Sequence, residues 1–222
     1  MKKVLFLWIA VFLLLAGCGA SKPEPGWLSA GYKQLDNFKK HFLSGQDKLA
    51  TLEFNDALKE IKRSGDLEIL ARLYLIRMAL QTATLQDLAS TDYLKIEAVQ
   101  PSPANRNFYA LLQGKIAQVD EKLLPAQYLG FVETFRRPGE GDLLRAIEQI
   151  NDPLSQLIAV GALVRTGQDN EALLQRAIAT ASAEGWKKAI LAYLARLKAY
   201  YEAKQESSKA LTIEQRINLI KD

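Results

Sequence analysis

Residues 186–204 read WKKAILAYLARLKAYYEAK. Trp186, Ile190, Tyr193, Leu197 and Tyr200 recur at steps of three and four, with Leu194 and Tyr201 beside them. That period places the large side chains on one face of an α-helix. Lys187, Lys188, Arg196 and Lys198 fall off the stripe. The segments on either side repeat the pattern. Helices are expected over 142–150, 153–166, 170–183 and 208–221. Gly167 and Gly185 stand at two of the breaks, and Asp152-Pro153 supplies a cap followed by a first-turn proline.

Toward the N-terminus the same period continues. Leu28, Tyr32, Leu35, Phe38 and Phe42 mark one helix, stopped at Gly45. A second runs over 47–63 and ends at Ser64-Gly65. Asp66 then caps a third over 67–83. This third helix is apolar nearly all round, so it is expected to be buried between neighbours. Its polar exceptions Glu68 and Arg72 are spaced to pair. The middle of the chain is less regular. Ser102-Pro103 and Pro125 are expected to start helices, and residues 136–141 form a turn. No stretch alternates with period two for long. The expected fold is all-α, with antiparallel hairpins stacked into an array over one domain, 28–222. A compact, non-repetitive helical domain is the alternative.

Residues 154–221 resemble a tetratricopeptide (TPR)-type repeat, a 34-residue helix pair with large residues at fixed places and a small one in the first helix. Leu157, Val160, Gly161 and Val164 take first-helix positions, and Leu191, Leu194 and Ala195 recur 34 residues on. Lys198, Leu173 and Ser207 depart from the pattern, as does Gly185 where a proline is expected. The first half of the chain does not fit it.

Lys2 and Lys3 precede a run of 13 uncharged residues, Val4 to Ala16. That length suits a signal-peptide core and falls short of the roughly 20 apolar residues needed to span a bilayer. Leu15-Ala16-Gly17-Cys18 follows. This ending resembles the bacterial lipoprotein signal, or lipobox. The resemblance implies cleavage after Gly17, diacylglycerol on the Cys18 sulfur and acylation of the new amino end. Gly19 stands where enteric-type bacteria use Asp for inner-membrane retention. The implied location is therefore the outer membrane, facing the periplasm, or the inner or sole membrane in another kind of source. Residues 1–17 are read as the signal and 18–27, with two Pro and two Gly between Gly19 and Trp27 inclusive, as a tether.

The 222 residues are 49% hydrophobic and 24% charged, an ordinary globular balance. The pI of about 9.0 overstates the basicity, because Lys2 and Lys3 leave with the signal. The formal charge of +4 then falls to about +2, and no nucleic-acid partner is inferred. One Cys and one His exclude an intramolecular disulfide and multi-histidine metal sites. His41 lies among lysines, with no nucleophile in its motif. No Gly-rich loop is followed by Lys-Ser/Thr. Neither catalytic residues nor a cofactor or metal is expected, and the carboxylate pairs Glu60/Asp66 and Asp169/Glu171 read as caps and solvated helix starts.

Surface recognition is what this leaves. Lipoproteins built from helical repeats form a known architecture, whose members act as assembly factors or pilotins in the envelope, and the whole chain resembles it. A lipid-anchored adaptor for an envelope protein is the expected function. A carrier or sensor holding a small apolar ligand between helices is the alternative. Trp186, Tyr193, Arg196, Tyr200 and Tyr201 are the candidate protein-binding residues, with Lys198 nearby. The same spacing also suits core residues. Arg136 and Arg137 are read as a solvated turn.

Overall fold

The computed structural model describes residues 26–137 and 142–221. The lipobox and Cys18 lie outside the described residues. The described residues are 79% helix and contain no strand. Eleven helices pack together: α1 (Gly26–Leu43), α2 (Asp47–Lys62), α3 (Leu67–Ala83), α4 (Thr91–Val99), α5 (Pro103–Leu112), α6 (Leu129–Arg136), α7 (Leu143–Glu148), α8 (Pro153–Thr166), α9 (Glu171–Ala183), α10 (Lys187–Ala203) and α11 (Ser207–Lys221). Three short 3₁₀ turns, Ile116–Gln118, Glu121–Leu123 and Ala126–Tyr128, join α5 to α6. Among the described residues no helix is long and apolar enough to cross a membrane. Gly26 and Trp27, read in the sequence as the end of a tether, already belong to α1.

The helix starts follow from side-chain caps. Asp66 accepts from the Glu68 and Ile69 amides, Asp152 from Ser155 and Asn170 from Leu173. Each satisfies orphan N–H groups of a first turn. Ser102 departs from expectation. Its hydroxyl caps nothing, although Pro103 does open α5. Instead the Ser102 amide donates to Glu97 at 3.2 Å, so α4 holds the start of α5. Pro125 opens a 3₁₀ turn that leads into α6, rather than an α-helix directly.

α1 and α2 form an antiparallel hairpin. Phe38 meets Phe54 with centroids 5.1 Å apart, and His41 faces Glu53 at 4.0 Å. α3 is the centre of the fold. It packs against α1, α2, α4, α5 and α8, and Leu73, Met78 and Leu80 are fully buried. Burying each such side chain contributes about 1.5–3 kcal/mol. The helix with apolar residues nearly all round is thus the one packed by five others. Its Glu68–Arg72 pair forms at 2.9 Å.

α8 crosses α3 in near backbone contact. At Gly161 an added Cβ would meet the Thr82 carbonyl. The Thr82 hydroxyl donates to the Leu112 carbonyl at 3.2 Å, which brings α5 to the same crossing. At Gly114, whose φ is +78°, a Cβ would stand 2.8 Å from the Arg165 Cβ. Glycine is needed at both points because no side chain fits between the chains. From α8 onward the helices follow one another: α8 packs on α9, α9 on α10 and α10 on α11. α10 also reaches back to the α1–α2 hairpin, where Lys188 pairs with Asp47 at the start of α2 and lies over the Phe42 ring of α1 at 4.0 Å.

Candidate functional site

The five predicted binding residues do not form one surface. Tyr193 is completely buried and its hydroxyl donates to the Leu157 carbonyl of α8 at 2.8 Å. Tyr201 is buried as well, and its hydroxyl donates to Glu171 at 2.8 Å. Burial raises the pKa of both phenols. These two tyrosines are core residues and offer nothing to a partner. They point inward because α10 has a helix on each side, α9 before it and α11 after it. Their hydroxyls find partners within the fold, as buried phenols require.

Arg196 is half-exposed but committed. It donates two hydrogen bonds of 2.8 Å to Asp169, whose side chain is only 1% exposed. This bidentate bond raises the Arg196 pKa. Lys198 pairs with Glu202 and Glu214. Tyr200 is partly buried, edge-on to Tyr201 with centroids 6.0 Å apart. Trp186 stands at the start of α10, fourteen residues and roughly 20 Å of helix away from Tyr200. Its ring lines a cleft of about 470 Å³ between Lys39, Lys40 and Leu43 of α1 and Pro153 and Leu154 of α8.

Two further sequence readings change. Asp169 and Glu171 are not solvated helix starts, since each holds a side chain of α10. Arg136 is not a solvated turn residue. It pairs with Glu121 at 2.6 Å and donates to the Ala117 and Val119 carbonyls, tying the end of α6 to the 3₁₀ segment. Arg137 is exposed and pairs with Glu133. His41 sits in the last turn of α1, half-buried, with its Nδ1 4.0 Å from Glu53.

A largely apolar concavity lies elsewhere, between α3, α5 and the 3₁₀ segment. It is an open groove of about 480 Å³. Leu75 and Ile76 of α3 and Phe108 of α5 supply one wall, and Leu123, Leu124 and Pro125 the other. Arg72 and Lys122 stand at its rim. Both walls are held. Asn107 brackets Asp120, accepting from its amide at 2.6 Å and donating to its carbonyl at 2.9 Å. Arg136 holds the same segment from the far side. Asn105, buried at the floor, donates to Glu68 at 2.9 Å, and Glu68 in turn accepts from Arg72. A fixed apolar concavity with few polar groups at its edge is suited to an apolar side chain or small molecule.

Sequence reasoning missed this groove. Leu123-Leu124-Pro125 was legible only as the approach to a helix start. Two leucines outside any helical period, after the charged run Asp120-Glu121-Lys122, were the available signal. Their wall function depends on α3, some fifty residues earlier in the chain. Among the described residues no group of three or more His, Cys, Asp or Glu is placed to hold a metal ion. No protein-family model matches the chain, and no curated protein or solved structure matches it either.

Proposed function

We propose that the protein is a lipid-anchored adaptor of the bacterial cell envelope, without catalytic activity. Cys18 carries the lipid, the body faces the periplasm from the outer membrane, and the groove between α3, α5 and residues 122–125 receives an apolar segment of an envelope protein. The observation that carries this reading is the groove itself: open, apolar, cation-rimmed and rigidly walled. The lipobox supplies the location. Within the same reading, residues 154–221 are a TPR-like stack. Its support is the run from α8 to α11, in which consecutive helices pack through connections of three or four residues. A small apolar ligand seated in the groove is the second reading, favoured by the groove's volume and lining.

The test is a crosslinked pull-down of the membrane-anchored protein from its own cells, compared with Leu123→Asp and Lys122→Glu. Leu123 is 37% exposed and Lys122 is exposed, so both changes leave the core intact. An envelope protein recovered with the unmodified chain and lost with Leu123→Asp, at unchanged thermal stability, supports the adaptor. A small molecule co-purifying in place of a protein supports the carrier. A partner retained equally by all three chains removes the groove from the account.

A further inference from the structure

The groove does not use the exposed charge and aromatic side chains at the open end of the α1–α2 hairpin. We propose that this end docks on the headgroup surface of an anionic phospholipid bilayer, an inference that rests on the reading of Cys18 as lipidated.

Chain length places it there. Gly26, the first residue of α1, lies eight positions after Cys18. Fully extended, eight steps span roughly 26–29 Å, so the start of α1 stays within about that distance of the lipid-bearing residue. The C-terminal end of α2 lies beside it. An added Cβ at Gly31 would stand 3.2 Å from Ile61 Cγ1 and 3.8 Å from the Glu60 Cβ. Whatever the last turn of α2 carries is therefore presented at the same end.

What it carries is basic. Lys59 and Lys62 occupy the last turn of α2, and the first turn of α1 has no acidic residue. Lys33, Lys59 and Lys62 are exposed, and among the described residues none of them is in an ion pair. Two nearby acids are engaged, Glu60 with Arg63 at 2.9 Å and Asp66 as the cap of α3, while Asp56, one turn before Lys59, is partly buried. Clustered cations near an anionic leaflet are attracted to it, over about a Debye length. The aromatics fit the same surface. Tyr32 is 47% exposed, and Trp27 is partly exposed and takes no part in the core. Tyr and Trp are favoured at the level of the headgroups, where one end of the ring is apolar and the other wet. Acyl chains alone hold the protein near the bilayer. This end would orient it, turning the α1–α2 hairpin toward the membrane.

The test uses the full chain, lipidated in its own membrane and reconstituted in brominated phosphatidylcholine vesicles with and without phosphatidylglycerol. Mass spectrometry first establishes the acyl groups on Cys18. Removal of residues 1–17 takes Trp8 away, so in Trp186→Phe the sole tryptophan is Trp27. The expected result is stronger bromine quenching of Trp27 with phosphatidylglycerol than without it. Lys59→Glu with Lys62→Glu should bring the first value down to the second, with helicity by circular dichroism unchanged. If Trp186→Phe does not fold, the same quantity is the difference between the unmodified chain and Trp27→Phe. Quenching in an acylated chain that is indifferent to phosphatidylglycerol, or to the charge reversal, overturns the docking and leaves the anchor standing. Absence of acyl groups on Cys18 overturns the anchor, and the docking with it.

Discussion

Gly161 of α8 rests against Thr82 of α3, seventy-nine positions earlier in the chain, so closely that an added Cβ would stand 2.8 Å from the Thr82 carbonyl carbon and 3.1 Å from its Cγ2. The obstacle is backbone, so no side-chain rearrangement relieves it. In an unobstructed helix interior alanine is favoured over glycine by about 1 kcal/mol. Here the clash wins, and Gly161→Ala is expected to destabilise by about 3 kcal/mol. Thermal unfolding should show a Tm lower by roughly 5–10 °C. A higher Tm would mean that α8 and α3 do not touch at this point.

The buried tyrosines of α10 should behave as core. Tyr193→Phe removes one hydrogen bond, at a cost of about 1 kcal/mol. Tyr193→Ala empties a site with no exposure and should cost about 3–5 kcal/mol. Urea unfolding midpoints measure both. Tyr201→Ala is expected to melt early for the same reason. Full stability in these variants, with binding to a partner lost, would return the two residues to the surface.

Arg196 and Asp169 should prove coupled. Arg196→Ala leaves a carboxylate with 1% side-chain exposure without its partner. Because the arginine is itself 37% exposed, solvent screens part of the effect, and a loss of about 2 kcal/mol is expected. Replacing both residues by leucine should cost less than the two single changes added together. Strict additivity in that double-mutant cycle would deny the ion pair a structural role.

Stability is expected to fall in alkali. Burial pushes the Tyr128 phenol up to about 12, and Tyr93 and Tyr193 are raised further by the same cause. The folded chain keeps these protons where the unfolded chain, titrating near 10.0, releases them. Stability is therefore fully present below the unfolded value and is lost as pH rises from about 10 through about 12. For Tyr128 alone the loss is roughly 3 kcal/mol. Tyrosinate absorbance and helicity followed together should change in one step for these three residues. Their ionisation near pH 10 with helicity intact would show them open to water.

Much of the fold was legible from local chemistry. Asp66, Asp152 and Asn170 each cap the helix expected after them, because a short acceptor side chain two or three residues before an amide acts within its own turn. The boundaries of α3 and α8 coincide with the apolar period and its stops. Less of the candidate site could be read. Ser102 has the right residue type for a cap, yet Glu97 reaches its amide from the preceding helix. Arg136 looks solvated beside Arg137, yet it folds onto carbonyls seventeen and nineteen residues earlier.

Local sequence, then, was enough for the all-helical class and for the helix ends that a side-chain cap or a glycine stop marks. Those depend on interactions spanning at most a few turns. Which neighbour covers a face is a different question. Tyr193 and Tyr200 share one stripe of α10, but the first is sealed against Leu157 and the second is only partly buried. Gly161 fits a small-residue repeat position in sequence, while in space its smallness serves the crossing with α3. The groove is built from segments some fifty residues apart, and no window along the chain contains both of its walls. Burial is a property of what packs from a distance, so the folded arrangement alone assigns it.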